Sequence, residues 1–374
     1  MREGMTQKLL CTIPQISNCY EIEIGAGILK EKIAHYLSSF SHRMAIITDD
    51  VIAPLYGEPL LRSLLSLGLD VHLFSFPHGE KNKTRATKER LEDQLFEKQF
   101  GRDTCVIALG GGVVTDLAGY LAATYCRGIP FVSIPTSLMG MVDASIGGKT
   151  GVNVSYGKNM LGCIYQPKKV FIDPSILKSL PKKELVNGIV EMIKHGLIAD
   201  FALFEYLEKN STQLNAGLLE NAIFESCRIK QEIVEQDEKE QGKRRLLNFG
   251  HTVGHALEIL SHYSISHGEA VAIGILVESY LSVQLGILPQ NSLDRIKKIL
   301  VEYEIPLKLS SKFSIEDLID AMALDKKSVK GRPRFVIINT IGSAVPYGSV
   351  YCTTVEEPLL KQALKWMVDD LCCH

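Results

Sequence analysis

The segment NFGHTVGHALE places His251 and His255 four residues apart, and SHGEAVAIG adds His267 at the head of a second apolar stretch. Four residues is about one helical turn, so the first two imidazoles share a face. A lone histidine on an apolar face usually belongs to the core, but three in this arrangement point to a divalent metal held by imidazole nitrogens. The intervening Thr252, Val253 and Gly254 leave no place for the glutamate of HExxH, which disfavours a zincin protease. A carboxylate ligand must therefore come from elsewhere. The best donor is Glu191 in NGIVEMIKHG, an acid on an otherwise apolar helical face. Its charge there is costly unless a metal or a buried salt bridge neutralises it.

A second candidate is ALGGGVVTDLAGYLAA, where three glycines follow an apolar run and open a helical pattern. Backbone N–H groups at such a helix start receive phosphate, so the position suits a nucleotide, although GxGxxG is incomplete and a packing turn is the alternative. The run DASIGGKTGVN resembles the end of a P-loop but has Asp143 where that motif needs glycine, which excludes a Walker-type ATPase. Cations and amides gather in the same segments: Lys149, Lys158 with Asn159, Lys194, Lys230, Arg244 with Asn248, and the DKK at 325–327. Singly, each is an ordinary solvated charge; together they suit an anionic substrate.

The elements that must carry these residues divide into two textures. Strand-like runs at 44–50, 71–77, 104–110, 131–137 and 169–174 alternate with helical patterns at 54–68 and 83–100, which predicts a parallel α/β sheet. LLCTIP and CYEIEIG near the start predict a hairpin or an addition to the sheet edge. After Pro181 the chain is mostly long helical patterns, ending in a strand-rich piece at 334–350 that predicts a hairpin. The boundary falls near Pro181, giving residues 1–180 as an α/β domain that carries the candidate nucleotide site and 181–374 as a mostly α-helical domain that carries the metal and substrate candidates.

Composition sets the outer limits. At roughly 100 to 200 residues per domain, 374 residues suggest about two domains. Lys+Arg 41 against Asp+Glu 43 excludes a generally basic nucleic-acid surface, and 46% hydrophobic residues exclude disorder. No apolar run approaches the roughly 20 residues needed to span a bilayer, and the first twenty residues lack the h-region of a signal peptide, so a cytoplasmic protein without membrane contact is expected. Nine cysteines without CxxC spacing predict mainly buried thiols, with Cys372 and Cys373 in a frayed tail.

Six segments, LGGGVVTDLAGYLAATYCRG, IPTSLMGMVDASIGGKTGVN, GKNMLGCIYQP, LPKKELVNGIVEMIKHG, DEKEQGKRRLLNFGHTVGHALE and HGEAVAIGI, resemble the 3-dehydroquinate synthase family. The likeness runs in order from about Thr48 to Phe335. It implies a Rossmann-like parallel-sheet domain followed by a mostly α-helical one. The implied reaction is the shikimate-pathway step that turns 3-deoxy-D-arabino-heptulosonate 7-phosphate into 3-dehydroquinate and phosphate, with NAD recycled and a divalent metal, zinc or cobalt. In that family the C5 hydroxyl is oxidised, phosphate is eliminated, the ketone is reduced again, and ring opening precedes an aldol closure.

Carried over by position, the resemblance makes Glu191, His251 and His267 the metal ligands. It assigns His255, Asn159, Lys194, Lys327 (with Lys326 nearly as good) and an arginine of a neighbouring subunit matching Arg127 to the substrate phosphate. Asp143 and Lys230 would meet the hydroxyls being oxidised, while Lys149, Arg244 and Asn248 would hold the carboxylate side and ring. For NAD the matching positions are Asp49, Glu80, Lys83, Gly112, Asp116, Thr136, Ser137, Lys149, Lys158 and Ser179.

Departures are local. Many relatives have PTT and DTxFLxTLP where this chain has PTS and DPSILKSLP, so Pro174 and Ile176 alter the loop beside the nucleotide. The resemblance also implies a homodimer, closure of the two halves on substrate, and a free-standing enzyme instead of part of the fused fungal polypeptide. Three rivals stand beside it: a sugar-phosphate cyclase making 2-deoxy-scyllo-inosose or an epi-valiolone, a metal-dependent polyol dehydrogenase, and an inactive nucleotide-binding scaffold. The cyclase substrates lack the carboxylate that Arg244 and Asn248 would bind, and the cation cluster argues against a polyol dehydrogenase.

Overall fold

The computed structural model describes residues 19–41, 43–155, 157–211, 216–309, 313–323 and 331–371. Lys326, Lys327, Cys372, Cys373 and the LLCTIP segment lie outside them. The first half contains β1 (Glu21–Ile24), α1 (Ile28–Glu31), α2 (Ile33–Phe40), β2 (Arg43–Asp49), α3 (Glu58–Ser66), β3 (Asp70–Phe76), α4 (Arg85–Glu97), β4 (Thr104–Gly110), α5 (Gly112–Thr124), β5 (Phe131–Pro135), β6 (Lys149–Val154), β7 (Gly157–Ile164) and β8 (Lys169–Ile172). Six strands form one parallel sheet in the order β1-β8-β5-β4-β2-β3. CYEIEIG is thus an edge strand among the described residues, paired parallel with β8.

Every residue of β4 and β5 is buried, as expected for central parallel strands with helices on both faces. Leu91, Leu95, Val114, Leu117 and Leu121 cover one face, and Ile33, Leu37, Leu60 and Leu64 the other. From β2 the chain moves outward to β3, then returns to β4 on the opposite side of β2 and continues away. The connections after β2 and β4 therefore diverge, opening a crevice at the carboxyl ends of these strands, where doubly wound sheets bind ligands. Strands β6 and β7 form a separate antiparallel hairpin that the glycine-rich sequence did not announce.

Pro181 caps α6 (Lys182–Ala199), followed by α7 (Phe201–Lys209), α8 (Ala216–Gln236), α9 (His251–Leu260), α10 (His267–Gln284), α11 (Gln290–Glu302), α12 (Ile315–Ala323), the short antiparallel pair β9 (Ile338–Thr340) and β10 (Ser343–Ala344), and α13 (Glu357–Leu371). Leu138, Met141, Val142 and Ile172 share a core cluster with Ile189, Ile193, Val253 and Val271, so apolar packing runs from the sheet side into the helices. None of the described helices is long and apolar enough to cross a membrane. Among the described cysteines, Cys105, Cys227 and Cys352 are buried free thiols, Cys126 and Cys163 are half-buried, and Cys19 is exposed.

Candidate active site

Helices α9 and α10 approach closely enough that a Cβ on Gly274 would lie 1.8 Å from the Gly250 carbonyl oxygen, so glycine is required there. Gly250 itself caps α9 at φ +80°. This contact holds the His251 and His267 rings 5.3 Å apart, with the His255 ring 5.4 Å from that of His251. Nε2 of His251 and Nε2 of His267 each lie 3.7 Å from Oε1 of Glu191, which α6 presents fully buried. That oxygen makes no hydrogen bond to any described residue, while Oε2 accepts from Lys194.

Both imidazoles are oriented from behind. Nδ1 of His251 faces the Phe249 carbonyl at 3.2 Å, and Nδ1 of His267 faces Glu258 Oε1 at 3.4 Å. Outer partners of this kind direct Nε2 toward a metal. Burial opposes charge on His267, but Glu258 and Glu191 outweigh it and hold the imidazole up at about 10. The carboxylates therefore demand a cation here, which a proton or a metal ion can supply. Two other triads, His255/Glu258/His267 and Asp143/Glu191/His195, have ligand atoms as close together. Glu191/His251/His267 fits a metal best: Oε1 of Glu191 has no hydrogen-bond partner among the described residues and both Nε2 atoms face it, whereas Oε1 of Glu258 and Oδ1 of Asp143, like Oε2 of Glu191, already accept from lysines.

Beside this centre, Lys230 on α8 donates to Asp143 Oδ1 at 2.5 Å and to the Asp143 carbonyl. Burial opposes ionisation of Asp143, yet Lys230 and Lys194 hold its carboxyl far below the ordinary range. On the next layer Arg244, 1% exposed, donates to the carbonyls of Glu238 at 2.6 Å and Gly147 at 2.9 Å, fixing its guanidinium against the β6 turn. Lys149 and Asn248 both donate to Glu240.

The nucleotide-side residues gather at the sheet crevice. Asp49 ends β2 and accepts from the amides of Val51 and Ile52. The amino terminus of α5 at Gly112 has no side-chain cap, and the Val114 and Thr115 amides turn back to the Gly111 carbonyl, so an anion there would meet the Gly112 and Val113 amides. Gly111 faces the Ser137 hydroxyl, which accepts from the Gly140 amide, and the Thr136 amide donates to the Gly110 carbonyl. Lys83, 3% exposed, bridges Asp116 at 2.5 Å and the Asn159 side-chain oxygen at 2.6 Å, so the structure brings Asn159 to this group. Glu80 accepts from Asn153 at 2.7 Å, Lys158 donates to Glu258 at 2.8 Å, and Ser179 bonds Tyr56 at 2.7 Å. Arg127 is exposed at the far end of α5, about 20 Å along the helix from the glycine turn, and does not join the others.

Comparison with known proteins now decides the family. Residues 73–187 match the description "3-dehydroquinate synthase N-terminal" and residues 188–328 match "3-dehydroquinate synthase C-terminal". The 3-dehydroquinate synthase of Desulforamulus reducens is 45% identical over 329 residues, 86% of this chain and 91% of that protein. The chain belongs to the 3-dehydroquinate synthase family. Its activity is accordingly conversion of 3-deoxy-D-arabino-heptulosonate 7-phosphate to 3-dehydroquinate and phosphate. Among solved structures, 2-epi-5-epi-valiolone synthase of Streptomyces hygroscopicus with NAD+ and Zn2+ bound is similar at TM-score 0.86 and 28% identity, covering 96% of this chain and 99% of that one. A 2-deoxy-scyllo-inosose synthase complexed with carbaglucose-6-phosphate, NAD+ and Co2+ aligns at TM-score 0.85 and 23% identity, covering 93% and 96%. The cyclase rivals therefore share the fold, while the higher identity lies with 3-dehydroquinate synthases.

The residues that sequence reasoning missed are carboxylates behind the family's site. Glu258 binds both Lys158 and His267, and Glu240 binds Lys149 and Asn248. Glu258 lies seven residues from His251 and three from His255, which was a legible signal for the same helical face.

Proposed function

We propose that this 3-dehydroquinate synthase depends on NAD and on a zinc or cobalt ion, and acts as a cytoplasmic homodimer. The observation carrying the metal is the unbonded Glu191 Oε1 between two inward-facing Nε2 atoms. Glu191, His251 and His267 hold the ion; Asp49, Glu80, Lys83, Gly112, Asp116, Thr136, Ser137, Lys149, Lys158 and Ser179 hold the dinucleotide. When bound, the ion supplies Lewis acidity toward substrate hydroxyls and NAD a transient acceptor of hydride. In this division of labour residues 1–180 bind the nucleotide and 181–374 the metal and substrate.

The chain's own groups then orient and move protons. Lys230 and Asp143 form a buried proton-handling pair for the hydroxyl that is oxidised, since Asp143 is kept ionised beside an ammonium donor. Lys149, Arg244 and Asn248 bind the substrate carboxylate, and the guanidinium needs no reorganisation because two backbone carbonyls already fix it. His255, Lys194, Asn159, Lys327 and Arg127 of the partner subunit meet the phosphate, so that its departure follows deprotonation of the neighbouring carbon. Arg127 supports the dimer reading through its exposure and its distance from the chain's own glycine turn.

The test is phosphate release from 3-deoxy-D-arabino-heptulosonate 7-phosphate with catalytic NAD, before and after chelation and zinc return, alongside Glu191→Gln. Turnover restored by zinc, without net NADH and absent in the variant, supports the reading. Undiminished turnover after rigorous chelation would overturn the metal dependence. Release from sedoheptulose 7-phosphate instead would favour the other cyclases.

A further inference from the structure

A single carboxylate oxygen lies between the nucleotide-side hairpin and the metal-side helices. Oε1 of Glu258 accepts from Lys158 Nζ at 2.8 Å and faces His267 Nδ1 at 3.4 Å. Glu258 is 2% exposed, and Lys158 Nζ also lies over the Tyr263 ring, 4.5 Å from its centroid. Tyr263 in turn donates its amide to the Glu258 carbonyl at 2.8 Å, so the loop after α9 is fastened to the same residue.

We propose that Glu258 is a positioning residue that couples the dinucleotide site to the metal centre, making the two ligands bind cooperatively. This rests on the metal and NAD sites proposed above. Lys158 has the shorter contact with the shared oxygen, and the 3.4 Å approach to His267 is long for a hydrogen bond. An anionic dinucleotide phosphate that draws the Lys158 ammonium toward itself leaves this oxygen to His267. The Nδ1–H bond to the carboxylate then shortens, Nε2 becomes a better donor to the ion, and metal affinity rises. Linkage requires the metal to tighten NAD by the same factor.

The experiment measures the zinc Kd by competition with a chromophoric chelator, with and without saturating NAD. For the wild type, NAD lowers the zinc Kd by about fivefold or more. In Glu258→Gln the zinc Kd rises roughly 10- to 100-fold and no longer responds to NAD. In Lys158→Met, which keeps the carboxylate, zinc binds without NAD as tightly as it binds the wild type with NAD, a gain that loss of the Lys158 contact to NAD cannot produce. This second variant decides the matter if Glu258→Gln does not fold. A wild-type zinc Kd indifferent to NAD, although both ligands bind, overturns the coupling alone; so does a wild-type response in either variant. Absence of stoichiometric zinc in the wild type overturns the metal centre, and this inference with it.

Discussion

Lys230 reaches Asp143 twice, through the carboxylate at 2.5 Å and through the backbone carbonyl of the same residue. Both side chains are largely removed from solvent, at 6% and 28% exposure, so neither charge is cheap to leave alone. Lys230→Met strands the Asp143 carboxylate and is expected to lower stability by about 3 kcal/mol or more. Adding Asp143→Asn to it removes the stranded charge and restores most of that loss. Activity behaves differently, because both variants lack a proton-handling group: kcat falls at least about 100-fold in each. Thermal melts beside phosphate-release kinetics check this, and recovery of kcat with stability would show the pair to be structural only.

The metal triad makes a prediction that needs no substrate. An ion that binds only the folded chain stabilises it by RT ln(1 + [L]/Kd), so zinc at about 100 times its Kd adds roughly 2.7 kcal/mol. Glu191→Gln keeps the shape but removes the anionic donor facing the two Nε2 atoms. The zinc-dependent rise in Tm is therefore expected to disappear in the variant and to persist in Arg127→Ala, which removes none of the metal-ligating groups. Scanning calorimetry with and without zinc measures it.

The parallel sheet was legible because β2, β4 and β5 are buried on both faces and must be continuous apolar runs. The β6–β7 hairpin was not, since its two strands press glycine against backbone: a Cβ on Gly162 would lie 2.0 Å from the Thr150 carbonyl. In sequence that requirement looks like a failed phosphate loop. Glu191 and the histidines stood out as polar groups on apolar helices. Glu258 was passed over although its spacing from His251 and His255 puts it on their face, because HALEIL resembles an ordinary amphipathic turn, and Glu240 was hidden in the charged run DEKEQ. What a carboxylate pairs with is set by tertiary contacts such as the α9–α10 approach, and no spacing rule encodes those.

His195 offers a pH-dependent test of the interior. Fully buried, its Nδ1 bonds the Ser226 hydroxyl at 2.6 Å. Burial, then Lys194, pushes the imidazole down to about 3 from an ordinary 6.5. A depressed histidine binds fewer protons folded than unfolded, so it costs nothing above pH 6.5 and erodes stability as pH falls from there toward 3. One pH unit below 6.5 the loss is about 1.4 kcal/mol. His195→Asn can keep a bond to Ser226 without titrating, and is expected to flatten the stability profile between pH 6.5 and 5.5. Denaturant melts across that range check it, and an unchanged slope would refute it.

Arg127 makes the proposed dimer testable by complementation. It is exposed just beyond the end of α5 opposite the glycine turn. If it completes the partner's site, Arg127→Ala and Glu191→Gln homodimers each carry two damaged sites. Co-expressed, they form mixed dimers in which one site combines an intact Glu191 with the partner's intact Arg127, and the other carries both lesions. Random pairing makes half the dimers mixed, each with one of two sites whole, so activity should recover to about a quarter of wild type. Purification through two different affinity tags isolates the mixed species and should raise this to about half. Mixed dimers no more active than the mean of their parents would overturn completion of the site by the partner subunit.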